Sequence, residues 1–400
     1  MKKVLLSAAG FLIAINSFAQ LGPTVTSWII NTTGATGYAG ILSNVMQVQY
    51  SANNVYVSCK CIPSYNIGPW PGNPNIASDQ SFVFKITRNP QQNTSAPTAI
   101  GLGHIGVWTN GVSIYNVSDG QSYLMQGIWN RNAYFWEGSG FDNCLGHPQQ
   151  QGEYHHHVSP QCLYDETDST VHSPIIGYAF DGFPVYGAYS FTNTNGTGPI
   201  KRMQSSYVVS AATTRTNGPN VNATYPAGCF IEDYSYSAGS GDLDARNGRF
   251  CITPEYPLGT YAYFVTLDAA LNPVFPYTFF GSYYGVVQPG NTGPGSGHNI
   301  PGEPVTTYNP SGIDDNENDI QFEFYPNPAK EFLALFIAPF AINNNTVTLV
   351  NSLGQKIFEQ ELIQPAVTYF FALANVDAGI YFLNIRNGKM LTSRKVVVIK

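Results

Sequence analysis

The sequence predicts an all-β protein. Aromatic residues make up 14% of the 400 residues, with 26 Tyr and 24 Phe, and residues of this type favour strands. The 39 Gly and 27 Pro interrupt any long helical period and mark turns. We therefore expect short antiparallel strands joined by turns over most of the chain, and a hydrophobic content of 43% is enough to bury a full core.

The first 19 residues have the pattern of a signal peptide. Lys2 and Lys3 precede a short apolar run, and Ser17 and Ala19 occupy the small-residue positions of a cleavage site. We expect the mature chain to begin at Gln20 and to leave the cytoplasm. The apolar run is too short to span a bilayer, and no later run reaches the roughly 20 apolar residues of a transmembrane helix. No transmembrane segment is expected.

Charge and motifs argue against several classes of function. The formal net charge is -7, and no basic stripe follows the chain in the way that a phosphate backbone requires. Nucleic acid is therefore not expected as a partner. A G-x-S-x-G elbow and a P-loop are both missing from the sequence, which argues against a standard triad hydrolase or a P-loop nucleotide enzyme.

The six cysteines are expected to form disulfides, because an exported protein meets oxidising conditions. Sequential pairing is the simplest arrangement, which predicts one bridge between Cys144 and Cys162 and another between Cys229 and Cys251. Cys59 and Cys61, in "SCKC", would share one face of a strand. A cross-link and a soft-metal site are both open to this pair, and a structural role is favoured.

Composition divides the chain after the first 287 residues. Residues 288–320 are rich in Gly, Pro, Asn and acidic residues and nearly lack aliphatic side chains, which predicts a linker. Residues 321–400 return to alternating apolar segments separated by turns that contain Asn-Gly or Leu-Gly. This pattern predicts a small antiparallel β-sandwich.

The last 80 residues resemble a known export signal. The stretches "YPNPAKEFL" (Tyr325 to Leu333), "NSLGQKIF" (Asn351 to Phe358) and "GIYFLNI" (Gly379 to Ile385) are similar to the C-terminal sorting domain of the type IX (Por) secretion system. The resemblance implies export across the outer membrane with the type IX machinery as a partner. It also implies a secreted or cell-surface location for the rest of the chain.

Residues 20–287 form the predicted functional domain, and four of their stretches resemble the YHYH domain. The family is named for a Tyr-His-Tyr-His run, where this chain has Tyr154, His155, His156 and His157, so the third position differs. The resemblance implies a β-rich unit and no defined reaction. The matching stretches are "GVSIYN" (Gly111 to Asn116), "GHPQQQGEYHHHVSPQC" (Gly146 to Cys162), "HSPIIGYAFDGFPVYG" (His172 to Gly187) and "NGRFCITPEYPLGTYAYFVT" (Asn247 to Thr266).

The histidines are concentrated in one region, since five of the seven lie between His147 and His172. Side chains alternate along a strand, so His155 and His157 share one face, while His156 faces the packing side with Tyr154. A hairpin through the polar turn "PQQQG" would bring His147 beside His155. Three imidazoles suit Zn or Cu, with a fourth position open.

Three further residues are assigned to this predicted site. His172 is expected as a fourth ligand or as a hydrogen-bond donor behind the ligands. Asp181, on a turn with Gly and Pro, is expected to orient the second ring nitrogen of a histidine, and Tyr154 is expected to support the ligands. His104, in a segment that resembles a loop, and His298, in the linker, receive no role.

Two functions are consistent with these residues. The first is an exported metal-binding protein with a His-based Zn or Cu site, whether or not it is an enzyme. The second is a metal-free structural or carbohydrate- or ligand-binding module at the cell surface, in which the histidines and tyrosines form a buried hydrogen-bond network. The sequence does not identify the ligand of either.

Overall fold

The computed structural model of the protein describes residues 21–293, 295–310, 322–337, 345–351, 354–362, 368–387 and 390–400. The predicted signal peptide, residues 1–19, lies outside the described residues. Helices are short throughout the described part: α1 spans Pro23–Thr26, α2 spans Ala133–Trp136, and four 3-10 turns cover Tyr38–Gly40, Tyr123–Met125, Gly138–Gly140 and Ile231–Asp233. None of these helices has the length and apolar character needed to cross a membrane.

Strands dominate the described residues, which confirms the predicted all-β class. Before residue 310 they are β1 Val45–Tyr50, β2 Asn54–Cys59, β3 Phe82–Thr87, β4 His104–Trp108, β5 Ser113–Tyr115, β6 Ser118–Ser122, β7 Asn130–Asn132, β8 His147–Pro148, β9 Tyr154–His156, β10 Ile175–Ala179, β11 Pro184–Tyr186, β12 Tyr189–Phe191, β13 Ile200–Arg202, β14 Tyr207–Val209, β15 Tyr234–Tyr236, β16 Gly248–Cys251, β17 Thr260–Phe264 and β18 Thr306–Tyr308. After it they are β19 Phe322–Tyr325, β20 Phe332–Ile337, β21 Asn345–Asn351, β22 Lys356–Leu362, β23 Thr368–Ala372, β24 Gly379–Asn387 and β25 Met390–Val398.

An eight-stranded sheet carries most of the histidines. Its order is β16-β17-β11-β10-β4-β5-β9-β8. Most neighbours are antiparallel, whereas β11 with β17 and β5 with β9 are parallel. The central strands β4, β10 and β17 are buried along their whole length, because both faces of the sheet are covered.

A second sheet, in the order β18-β1-β2-β3, packs into the same hydrophobic core. Its edge strand β18 comes from the predicted linker, and Val48 of β1 pairs with Tyr308. Another part of the predicted linker also contacts this sheet, since the N–H of Val83 donates to the carbonyl of Gly297 at 2.6 Å. The described linker residues therefore belong in part to the folded domain, because a polar extended chain can still pair its backbone with a sheet edge.

The C-terminal strands form two sheets around a separate core. Their orders are β19-β20-β23 and β22-β21-β24-β25. Leu333 and Leu335 of the first sheet pack with Val347, Leu383 and other apolar residues of the second. This arrangement is the expected small antiparallel sandwich.

Cysteine pairing follows the prediction at one bridge only. Cys144 and Cys162 form a disulfide with their Cα atoms 5.2 Å apart. The predicted bridge between Cys229 and Cys251 is wrong, since both thiols are free and buried. Their environments explain this: Cys229 lies 3.8 Å from the guanidinium of Arg215, whereas Cys251 pairs with Thr260 across the β16–β17 hairpin.

Cys59 and Cys61 are also free and buried. They do not share a strand face, because β2 ends at Cys59 and Cys61 takes a positive φ of 62°. The thiol of Cys61 donates to the carbonyl of Tyr154 at 3.1 Å. This contact ties the segment that follows β2 to the histidine-bearing strand β9, which is a structural role.

Candidate metal centre

The histidine hairpin, defined here as residues 144–162, is built from β8 and β9. His147 pairs directly with His155, and β9 pairs on its other side with β5. The connecting turn requires Gly152, whose φ is +82° and whose position leaves no room for a Cβ, because one would lie 2.2 Å from Ser78 Oγ. The disulfide joins the two ends of the hairpin.

Three imidazoles meet on one face of this hairpin. His147, His155 and His157 are 6%, 2% and 2% exposed. One nitrogen from each ring lies within 4.8 Å of the others, and the Nε2 atoms of His155 and His157 are 3.1 Å apart. The structure therefore brings together the three residues that the sequence assigns to a metal.

The opposite nitrogens of two of these rings are held by carbonyl groups. His155 Nδ1 lies 3.0 Å from the carbonyl oxygen of Glu153, and His157 Nδ1 contacts the carbonyl oxygen of Asn116. A carbonyl can only accept a hydrogen bond, so each Nδ1 must carry the proton. In the neutral rings both Nε2 atoms then present bare lone pairs to each other, in the tautomer that binds metals.

His147 is held less firmly. Its Nδ1 lies 3.3 Å from the amide nitrogen of Asn73, which also donates to the carbonyl of Pro148 at 3.0 Å. The amide donor assigns the proton of His147 to Nε2. Metal binding through that nitrogen requires the proton to move to Nδ1 and the long Asn73 contact to open.

Glu137 reaches the same place from outside the hairpin. Its Oε2 lies 3.2 Å from His157 Nε2 and 3.7 Å from His147 Nε2, and its side chain is 32% exposed. His147 Nε2 is buried and makes no hydrogen bond within the described residues. Sequence reasoning missed Glu137, because it follows the four-residue helix α2 in "NAYFWEG" and has no ligand-like spacing from the histidines.

Burial disfavours the charged forms of His147 and His155. It lowers the pKa of His147 to about 4, helped by the charge of His157 and opposed by Glu137. Burial also places the pKa of His155 well below its usual range, and the neighbouring His147 and His157 add to this. For Glu137, burial raises the pKa, but the hydrogen bond and charge of His157 and the charge of His147 outweigh it and lower the value. Neutral imidazoles beside an ionised carboxylate are a donor set suited to a cation.

The other face of β9 is packed and polar. Tyr154 donates its hydroxyl to Asp142 at 3.0 Å and does not support the three histidines, which corrects the expectation for this residue. His156 is fully buried, lies 3.5 Å from the Tyr154 hydroxyl and meets Trp108 edge-on. Burial lowers the pKa of His156 to about 3. His156 is not part of the three-histidine group.

His172 and Asp181 also lie elsewhere, so both assignments are corrected. His172 bonds to the carbonyl of Ser173 at 2.7 Å and to the hydroxyl of Ser190 at 3.0 Å, which occupies both ring nitrogens. Asp181 accepts hydrogen bonds from the hydroxyl of Tyr263 at 2.7 Å and from the backbone of Gly285 at 2.8 Å. The chain turns away after the hairpin, so the two residues serve the packing of the next strands.

A buried network supports His155 from behind. His104 begins strand β4 instead of lying in a loop, and its Nδ1 is 3.0 Å from Glu153 Oε1. Tyr115 donates to the other oxygen of Glu153 at 2.8 Å and stacks on His155 with 3.6 Å between ring centroids. Glu153 therefore orients His155 twice, through its own carbonyl and through Tyr115.

The comparisons with known proteins agree with this division of the chain. A family model described as YHYH protein matches residues 83–278, a range that contains the three-histidine group and Glu137. A second model, described as a secretion system C-terminal sorting domain, matches residues 323–400. The chain carries a YHYH domain and a C-terminal sorting domain. No protein of the curated set matches the chain.

The sorting domain determines where the YHYH domain acts. Its presence implies handling by the type IX secretion system. The protein is therefore secreted or displayed at the cell surface, as the sequence predicts. Its YHYH domain brings to that location a buried group of three histidines close enough to bind one metal ion.

Proposed function

We propose that the YHYH domain is an exported metal-binding module that holds one Zn or Cu ion through His147, His155 and His157. One observation carries the proposal. The Nε2 atoms of His155 and His157 lie 3.1 Å apart, while the backbone carbonyls of Glu153 and Asn116 each hold a proton on the Nδ1 atom of one ring. Two lone pairs at this distance repel each other unless a cation lies between them.

The distances support a tetrahedral ion. With metal–nitrogen bonds of 2.0–2.1 Å, adjacent ligand atoms in a tetrahedron are separated by about 3.3 Å. The 3.1 Å between His155 and His157 is close to this value. His147 needs a small rotation, since the three ligand atoms spread over up to 4.8 Å. A bound ion would supply Lewis acidity, or redox chemistry if it is copper.

The metal-free function requires a proton in place of the ion. One imidazolium could then donate from Nε2 to its neighbour, and the network would be structural. Burial argues against a charged His147 or His155 near neutral pH, because it lowers the pKa of His147 to about 4 and places that of His155 well below the usual range. A neutral pair without a cation would keep the repulsion.

Elemental analysis of the exported protein tests the proposal. We expect one Zn or Cu ion per chain, lost in His155→Ala and in His157→Ala and retained in His172→Ala, the matched control with a buried histidine whose two nitrogens are occupied. Metal should also raise the melting temperature of the wild type and of His172→Ala only. Wild-type protein that takes up neither Zn²⁺ nor Cu²⁺ after dialysis against each would refute the proposal.

A further inference from the structure

We propose that Glu137 supplies the fourth ligand of this metal site and is the ligand that exchanges with incoming oxygen anions. The inference rests on the proposed function. It begins from the distances of 3.2 Å to His157 Nε2 and 3.7 Å to His147 Nε2, which bracket the separation of about 3.3 Å between tetrahedral ligands. Oε2 is buried and forms no well-aligned hydrogen bond within the described residues.

The backbone of Glu137 is fixed, so the carboxylate is delivered from a rigid support. Its N–H donates to the carbonyl of Ala133 at 2.8 Å, and its carbonyl accepts from Gly140 at 2.7 Å. The preceding helix is held by Asn132, whose side chain bonds to the hydroxyl of Tyr277 at 2.7 Å, and by Trp136, whose indole donates to the carbonyl of Cys229 at 2.8 Å. Rotation of the Glu137 side chain alone can move its oxygen towards the ion or away from it.

Exposure distinguishes Glu137 from the histidines. Its side chain is 32% exposed, compared with 7% for that of His147 and 3% for that of His157. The solvent side of the site is therefore the carboxylate side. Departure of Glu137 would open a coordination position to solvent without disturbing the buried histidines.

The charges select an oxygen anion as the incoming group. Three neutral imidazoles leave a divalent ion with its full charge, and the carboxylate neutralises one unit of it. The charge of Arg131, which pairs with Asp119 at 3.7 Å, also acts on the Glu137 carboxylate and helps to lower its pKa. In the exchange the bond from the metal to Oε2 breaks and a bond from the metal to the entering oxygen forms, so that one negative charge replaces another.

Cobalt substitution tests this inference in the full chain. We expect wild-type protein loaded with Co²⁺ to show the intense visible absorption of a four-coordinate ion, and we expect that spectrum to change in Glu137→Ala and Glu137→Gln because solvent replaces the carboxylate. Their Co²⁺ dissociation constants should rise at least about 10-fold, the lower limit seen when groups that only support metal ligands are removed. Sodium acetate should restore the wild-type spectrum in Glu137→Ala, because its carboxylate fits the space that the variant opens.

Glu232→Gln is the matched control, since that carboxylate bonds to Asn130 near the same helix. It should retain the wild-type spectrum and affinity. Wild-type spectrum and affinity in both Glu137 variants would overturn the inference and leave the three-histidine site intact. Failure of the wild type to bind Co²⁺, Zn²⁺ or Cu²⁺ would instead remove the proposed function. Circular dichroism of the metal-free proteins separates a ligand effect from misfolding.

Discussion

The histidine hairpin and the surroundings of His172 use buried imidazoles in opposite ways. In the hairpin, His155 and His157 each donate a hydrogen bond from Nδ1 to a backbone carbonyl and leave two Nε2 atoms facing each other. Around His172, a carbonyl and a hydroxyl occupy both nitrogens. Burial alone therefore does not identify a ligand. What distinguishes the hairpin is that its ring nitrogens converge on one another and on the carboxylate of Glu137.

Removal of the disulfide should produce the largest difference between the two regions, because the bridge closes the histidine hairpin and does not enclose His172. Replacing Cys144 and Cys162 with Ala should lower the free energy of unfolding by about 3 kcal/mol, the loop-entropy value for a separation of 18 residues. The metal affinity should fall as well. Urea unfolding and metal titration measure both effects.

The paired replacement of Cys229 and Cys251 with Ala is the control, since neither thiol is bridged. It should cost about 1 kcal/mol through lost packing and leave metal affinity unchanged. Equal losses from the two pairs, or a Cys229 to Cys251 bridge in non-reducing peptide maps, would contradict the assignment.

Lowering the pH should destabilise the metal-free protein through His172. Burial lowers its pKa to about 4, and the charge of Arg249 contributes. An unfolded histidine titrates near 6.5, so the folded state resists protonation and the stability present above pH 6.5 is lost as the pH falls towards 4. Between pH 7 and pH 5 the loss from this residue is about 2 kcal/mol.

The comparison of wild type with His172→Gln in a chelator isolates this effect. Glutamine keeps a donor and an acceptor but does not titrate. Between pH 7 and pH 5 the variant should lose about 2 kcal/mol less free energy of unfolding than the wild type. Urea unfolding at each pH measures this difference. An equal loss in both proteins would show that the pKa of His172 is the same in the folded and the unfolded chain.

His156→Tyr should have the smallest effect and tests the two faces of one strand. His156 lies on the packed face with Tyr154 and Trp108, and the YHYH pattern has Tyr at this position. Metal content should be unchanged, while the larger ring lowers stability by about 1 kcal/mol. Loss of metal in this variant together with its retention in His155→Ala would reverse the assigned faces.

Local patterns in the sequence were sufficient for part of this result. Alternation along a strand places His155 and His157 together, and a short polar turn returns His147 to them. Pairing the cysteines in the order of the sequence correctly predicts the bridge between Cys144 and Cys162, which closes a short loop. The aromatic and turn-rich composition predicts strands throughout. These features depend on residues close together in the chain, where backbone geometry leaves few alternatives.

The tertiary structure decided everything that depends on distant contacts. Whether a buried imidazole is available to a cation depends on which group meets each ring nitrogen, and for His157 and His172 those groups are Asn116 and Ser190. Glu137 reaches the site only because its helix is anchored to segments far along the chain. The sequence alone therefore determined which histidines share a face, and the packing of remote segments decided which of their nitrogens stay open, because hydrogen-bond partners are set by three-dimensional proximity and not by spacing along the chain.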